Sequence, residues 1–258
     1  MIFFLIKKTF FDMWDNLFRI FLLNLIFIII LLACGSLMFL AQNLIGSYSL
    51  IFVVLGLVLL SIYSGVVSLY VREIADYKKP EFLELFSYLK KSWLTSLIFF
   101  AITVIFIFLA RTAILYYSTI HNPAGYLLFG LIVWLAFSFI LSIQYFFPIY
   151  SRMKNNPIKT LKKCFLVFID NPLFTLVLLI GSIIIMILSF ITFFLIPGIA
   201  GLLLWLNAAF KLRLYKYDYL ELHPEAKNKR IPWKEILADE KECVGKRTLR
   251  NLIFPWKD

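Results

Sequence analysis

Arg111 is the residue whose type and place bear most directly on chemistry, because a guanidinium inside an apolar run is costly unless it meets an anion or reaches the membrane surface. It stands six residues before Tyr117, about 9 Å along a helix at 1.5 Å per residue, within snorkelling reach of headgroups beside Tyr116 and Tyr117. That anchoring use is favoured over an anion-binding or gating role. Asn24, Gln144 and Asn207 are neutral amides in apolar surroundings, able to bind a polar substrate such as a sugar, although hydrogen bonding between helices is the more ordinary use. His121 and His223 belong to connections on opposite sides of the arrangement derived below, so they form no shared metal site. The acidic group Asp239, Glu240 and Glu242 has no histidine or nucleophile beside it and reads as a solvated helix face. With no phosphate-cradling glycine loop and no spaced nucleophile and base, we assign no catalytic residue, no metal ligand and no cofactor, and expect a protein that is not an enzyme.

The elements that hold these residues follow from composition. Of 258 residues, 62% are hydrophobic, 18% aromatic and only 16% charged, which is too apolar for a soluble domain of this length. A spanning helix needs about 20 mostly apolar residues, and candidates lie at 17–41, 50–70, 93–117, 124–150, 172–196 and 198–215. The expectation is an all-α, polytopic membrane protein of six transmembrane helices in three hairpins. Residues 1–215 form the transmembrane domain and 216–258 a cytoplasmic tail. The short last span is expected either to sit nearly upright or to draw Lys211 and Arg213 toward the interface by snorkelling, and Pro148 to kink or end the fourth span.

Orientation comes from the basic residues, which concentrate in short cytoplasmic connections. Lys7, Lys8 and Arg19 lie at the amino-terminal end; Arg72, Lys78, Lys79, Lys90 and Lys91 in the second connection; Arg152, Lys154, Lys159, Lys162 and Lys163 in the fourth. Residues 42–49, 118–123 and the Pro197-Gly198 turn contain no lysine or arginine. Both termini are therefore expected in the cytoplasm. The net charge of +11 is accounted for by this topology and by attraction to anionic inner-leaflet lipid, without a nucleic-acid partner. The first apolar stretch runs too long for a signal-peptide core and reads as an anchor. Cys34, in a span, and Cys164 and Cys243, on the cytoplasmic side, imply no disulfide framework.

Three segments, 10–16, 86–92 and 165–171, share a form: an amphipathic stretch that ends in a polar pair and leads directly into a span. Their spacings of 76 and 79 residues suggest a parallel threefold repeat near 1–79, 80–156 and 157–215. In the second and third copies, apolar residues line one helical face and charged residues the other, as in helices lying in the headgroup plane. These interfacial elbows are expected on the cytoplasmic side, with Pro80 and Pro157 opening the second and third.

The tail repeats a phrase, Ile231-Pro232-Trp233-Lys234 and Phe254-Pro255-Trp256-Lys257. Trp233, Arg247, Arg250, Phe254 and Trp256 are its candidate docking residues, on the membrane, on the chain's own elbows or on a protein partner.

The elbow-into-hairpin pattern, the segment Tyr145-Phe146-Phe147-Pro148-Ile149-Tyr150-Ser151-Arg152-Met153 and the run at 161–173 resemble the YesL-like family of bacterial membrane proteins, over roughly residues 10–215. The first span lacks the proline and glycine turn associated with that family, and the tail is an addition. The resemblance implies an integral protein of the bacterial cytoplasmic membrane, accessory to carbohydrate uptake. Non-enzymatic accessory or scaffold function is the leading expectation. A small-molecule or lipid transporter with a polar cavity is the alternative, and oligomeric state stays open.

Overall fold

A computed structural model describes residues 1–224, 231–245 and 247, with the side chains of 43–45, 47 and 48 left aside. Every regular element among the described residues is helical. This is what an apolar solvent requires, since a helix satisfies its backbone polar groups within its own segment. The elements are α1 (Ile2–Asp15), α2 (Leu17–Ile45), α3 (Leu50–Ala75), α4 (Glu84–Ser118), α5 (Pro123–Ile143), α6 (Phe146–Met153), α7 (Pro157–Asp170), α8 (Pro172–Ile191), α9 (Gly198–Leu222), α10 (Trp233–Ile236) and α11 (Ala238–Val244), with a 3-10 turn at Gly46–Ser49.

Five segments are long and apolar enough to cross a membrane: Leu17–Gln42, Leu50–Ala75, Glu84–Ser118, Pro123–Met153 and Pro172–Ile191. The sixth expected span forms the first part of α9, which is less apolar because it carries Asn207, Lys211 and Arg213. All of α9 from Leu203 to Arg213 is buried. Lys211 and Arg213, expected to snorkel outward, instead point into protein: Lys211 Nζ donates to Ala75 O at 3.0 Å, and Arg213 donates to Asn171 Oδ1 at 3.0 Å.

Chain breaks fall where side chains compete for the backbone. Asn16 separates α1 from α2 and donates from Nδ2 to Asp12 O at 3.0 Å. Asn171 separates α7 from α8 and repeats that bond to Val167 O at 3.4 Å. The second expected elbow has no such break. Lys91 and Ser92 sit inside α4, where Ser92 Oγ bonds back to Tyr88 O at 2.9 Å and the helix continues. Pro148 acts one turn earlier than its own position. Its ring excludes the carbonyl four residues before, that of Gln144, so α5 ends at Ile143 and α6 starts at Phe146.

The helices pack in a cyclic order. Besides the chain neighbours α2 with α3, α4 with α5 and α8 with α9, α3 lies on α4, α5 on α7 and α8, and α9 on α1 and α2. In the middle, α3, α6 and α9 meet one another. There Asn207 Nδ2 donates to Ser68 Oγ at 3.0 Å while its Oδ1 accepts from Ser151 Oγ at 2.9 Å, tying one residue from each helix. Close approach of α8 and α9 depends on Gly181: a Cβ there would lie 2.4 Å from the Trp205 ring, and Trp205 is held by its indole N–H bond to Leu178 O at 3.2 Å.

Substituting Gly181→Ala should therefore cost about 1–3 kcal/mol by overpacking, whereas Gly35→Ala, with no neighbour within 4 Å of the new atom, should cost nothing. Thermal unfolding in detergent checks this; equal melting temperatures for the two variants would contradict the packing.

Candidate functional site

The densest chemistry among the described residues is an ionic cluster where α1, α3, α6, α9 and α11 converge. Glu240, on the seven-residue helix α11, is 4% exposed. Its Oε1 accepts from Lys211 Nζ at 2.6 Å and from the Tyr215 hydroxyl at 2.7 Å. Its Oε2 accepts from the Tyr77 hydroxyl at 2.7 Å and lies 3.4 Å from Lys8 Nζ. Lys8, completely buried, also pairs with Asp12 at 3.0 Å and sits 3.7 Å above the centre of the Tyr77 ring. Lys211 pairs with Asp76 at 3.1 Å, and Asp76 accepts from Arg152 at 3.2 Å.

Local structure delivers each group. Lys8 and Asp12 are four residues apart on α1, so both face inward together. The α3 helix ends at Ala75 with Asp76 as its cap; Asp76 N–H bonds Arg72 O and Glu73 O. Tyr77 follows at φ +59°, a conformation unfavourable for a bulky side chain. That turn sends the Tyr77 ring toward Lys8 and its hydroxyl toward Glu240. Beside it, Arg72 binds Glu73 and the Ser151 carbonyl, and Lys78 reaches Glu73 at 3.0 Å.

Counting charges explains why Glu240 is needed. Lys8, Lys211 and Arg152 supply three cations; Asp12, Asp76 and Glu240 supply three carboxylates. Buried charges are tolerated when they are paired and hydrogen-bonded, and the tail carboxylate brings this set to neutrality. Burial alone would raise the Glu240 carboxyl, yet the Lys8 charge and the hydrogen bonds of Lys211, Tyr215 and Tyr77 outweigh it and hold the group down to about 2. Asp12 goes the other way: burial pushes it up to about 6 against the pull of Lys8. The two carboxylates are thus unequal, and Glu240 is the firmly ionised partner.

The acidic cluster read as a solvated face is therefore divided. Asp239 and Glu242 are exposed, while Glu240 points into the bundle between two lysines. Sequence reasoning missed it because one carboxylate among three, on a short helix, carries no periodic signature. Neighbouring contacts seat the same segment: Leu237 and Val244 are buried, Lys7 Nζ donates to Gly245 O at 3.1 Å, and Arg247 meets Asp15 at 2.6 Å. The Arg247 pair is half-exposed, so its worth is about 0–1 kcal/mol. Trp233 is half-buried on the core, with the Arg213 guanidinium 5.7 Å from its ring and 3.6 Å from that of Phe174. Arg250, Phe254 and Trp256 lie outside the described residues.

The intramembrane candidates are not brought together. Asn24 Nδ2 donates to Leu195 O at 2.9 Å and Pro197 O at 2.7 Å, while its Oδ1 accepts from Ala200 N at 2.9 Å. It clamps the connection between α8 and α9, where Gly198, at φ +60°, leaves no room for a Cβ. Asn207 joins the three central helices as described. Gln144 donates to Leu141 O at 2.8 Å and Thr175 O at 3.2 Å. Arg111 is exposed on α4 at the edge of an apolar groove. Five cavities of 170–440 Å³ have predominantly apolar linings, and Arg111 alone of these four residues lines any of them. Among the described residues no group of three histidine, cysteine, aspartate or glutamate side chains could hold a metal ion, and the three cysteines are free thiols.

Replacing Glu240 with alanine should strand Lys8 and Lys211 with an excess positive charge, a loss of the order of 3–5 kcal/mol for a broken buried pair. Faster hydrogen exchange and trypsin cleavage at residues 236–244 are expected, with Glu242→Ala unchanged; equal protection in the two variants would contradict a role for Glu240 in holding α11 on the bundle. In comparisons with known proteins, no family model, curated protein or solved structure matches this chain.

Proposed function

We propose that the chain is a non-enzymatic accessory or scaffold protein of the bacterial cytoplasmic membrane, linked to solute uptake and presenting its carboxy-terminal tail to a protein partner. The observation that carries this reading is the contrast between its two polar regions. Asn24 and Asn207 are engaged in structural hydrogen bonds, whereas the ionic groups gather around α11 and fix the place from which the rest of the tail departs. A scaffold needs such a fixed departure point; a transporter needs a wet path through the bundle, whereas the five cavities described above have predominantly apolar linings.

The same proposal takes α9 as a sixth span, its two charges tolerated because protein, not lipid, surrounds them. The cyclic packing order supports three hairpins related by a parallel repeat, and the basic connections support placing α11 and both termini in the cytoplasm. The YesL-like resemblance, with its accessory role in carbohydrate uptake, belongs to this reading.

Affinity capture of the intact protein in mild detergent, beside an Arg250→Ala/Phe254→Ala/Trp256→Ala variant, tests it. A protein captured by the intact chain and lost from the variant is the expected result. Capture of no protein, together with a retained sugar or other polar solute, would overturn it in favour of transport.

A further inference from the structure

A groove of 440 Å³ runs between α4 and α5, lined by residues that include Thr103, Phe106, Arg111 and Leu115 of α4 and Ala136 and Phe139 of α5. Along α4 the lining extends from Thr103 to Leu115, about 18 Å at 1.5 Å per residue. That is close to the depth of one leaflet, half of the roughly 30 Å hydrocarbon core. Apart from Thr103 its sides are hydrocarbon and aromatic, and its one charge is Arg111.

Arg111 has no ion pair or hydrogen bond among the described residues, in contrast to Lys8, Arg152, Lys211 and Arg213, which all meet protein partners. It lies seven residues before the end of α4 at Ser118, about 10 Å from that end. Side chains on a helix lean toward its amino terminus, here away from the near surface, so snorkelling takes the longer path. An unpaired guanidinium at this depth calls for an anion, and the apolar groove beside it calls for a chain.

We propose that this groove binds one anionic phospholipid, its phosphate on Arg111 and one acyl chain along the α4–α5 groove toward Thr103. A free phosphate would use the charge without the groove, and a neutral lipid the groove without the charge. The proposal rests on the membrane-spanning helices and is independent of the scaffold reading.

The test is thermal unfolding of the delipidated full-length protein in detergent with added dioleoyl phosphatidylglycerol, dioleoyl phosphatidylcholine or glycerol phosphate. Phosphatidylglycerol should raise the melting temperature by about 2–4 °C, with phosphatidylcholine and glycerol phosphate giving no rise. Arg111→Ala should abolish the shift. Ala136→Phe, which fills the groove and keeps the charge, should abolish it too, and carries the test if Arg111→Ala fails to fold. Equal shifts with both phospholipids, an equal shift with glycerol phosphate, or a phosphatidylglycerol shift that persists in Ala136→Phe would overturn the proposal.

Discussion

A lysine ammonium with no exposure to solvent has to be matched by a carboxylate, and in this molecule that requirement organises the bundle end from which the tail departs. Lys8 comes from the first helix and Lys211 from the most buried one, with Glu240 between them. The attraction between such groups is larger in a low-dielectric interior than in water, but so is the cost of leaving any of them alone. Helix α11 is consequently part of the fold. Deleting it would leave α1, α3, α6 and α9 holding three cations against two carboxylates.

Neutral polar residues do a parallel task within the apolar layer. Asn207 links three helices through two serines, and Asn24 takes both carbonyls and an amide of the α8–α9 connection. Hydrogen bonds of this kind average about 0.6 kcal/mol in membrane proteins, so their value here lies more in fixing helix register than in bulk stability. Register matters because the α8–α9 contact has no space for even a methyl group at Gly181. Tight seams and these two asparagines hold the helices in register, while the exposed faces of the long helices are largely apolar.

Much of the architecture was legible in the residues. Of the six apolar runs read as spans, five coincide with helices long and apolar enough to cross a membrane, and polar pairs containing Asn16 and Asn171 marked two real breaks. The third polar pair misled because Lys91-Ser92 has no asparagine to capture a backbone carbonyl in a non-helical turn, so α4 runs straight through. Lys211 and Arg213 were read as interface-seeking from their position near a span end; their partners come from residues far away in sequence, which no local pattern reveals. Glu240 was hidden for the same reason. A charge in a polar tail looks solvated until the fold brings two lysines to it.

The coupling between Lys211 and Glu240 tests this account most directly, through a cycle of Lys211→Met, Glu240→Gln and the double variant followed by unfolding in detergent. Removing both leaves Lys8 with Asp12 and Arg152 with Asp76, two neutral pairs. The double variant should therefore lose less stability than the sum of the single losses, by about 1–3 kcal/mol. Losses that add to within about 0.5 kcal/mol would mean that the two residues act independently, and that the tail carboxylate is not what neutralises the buried charge.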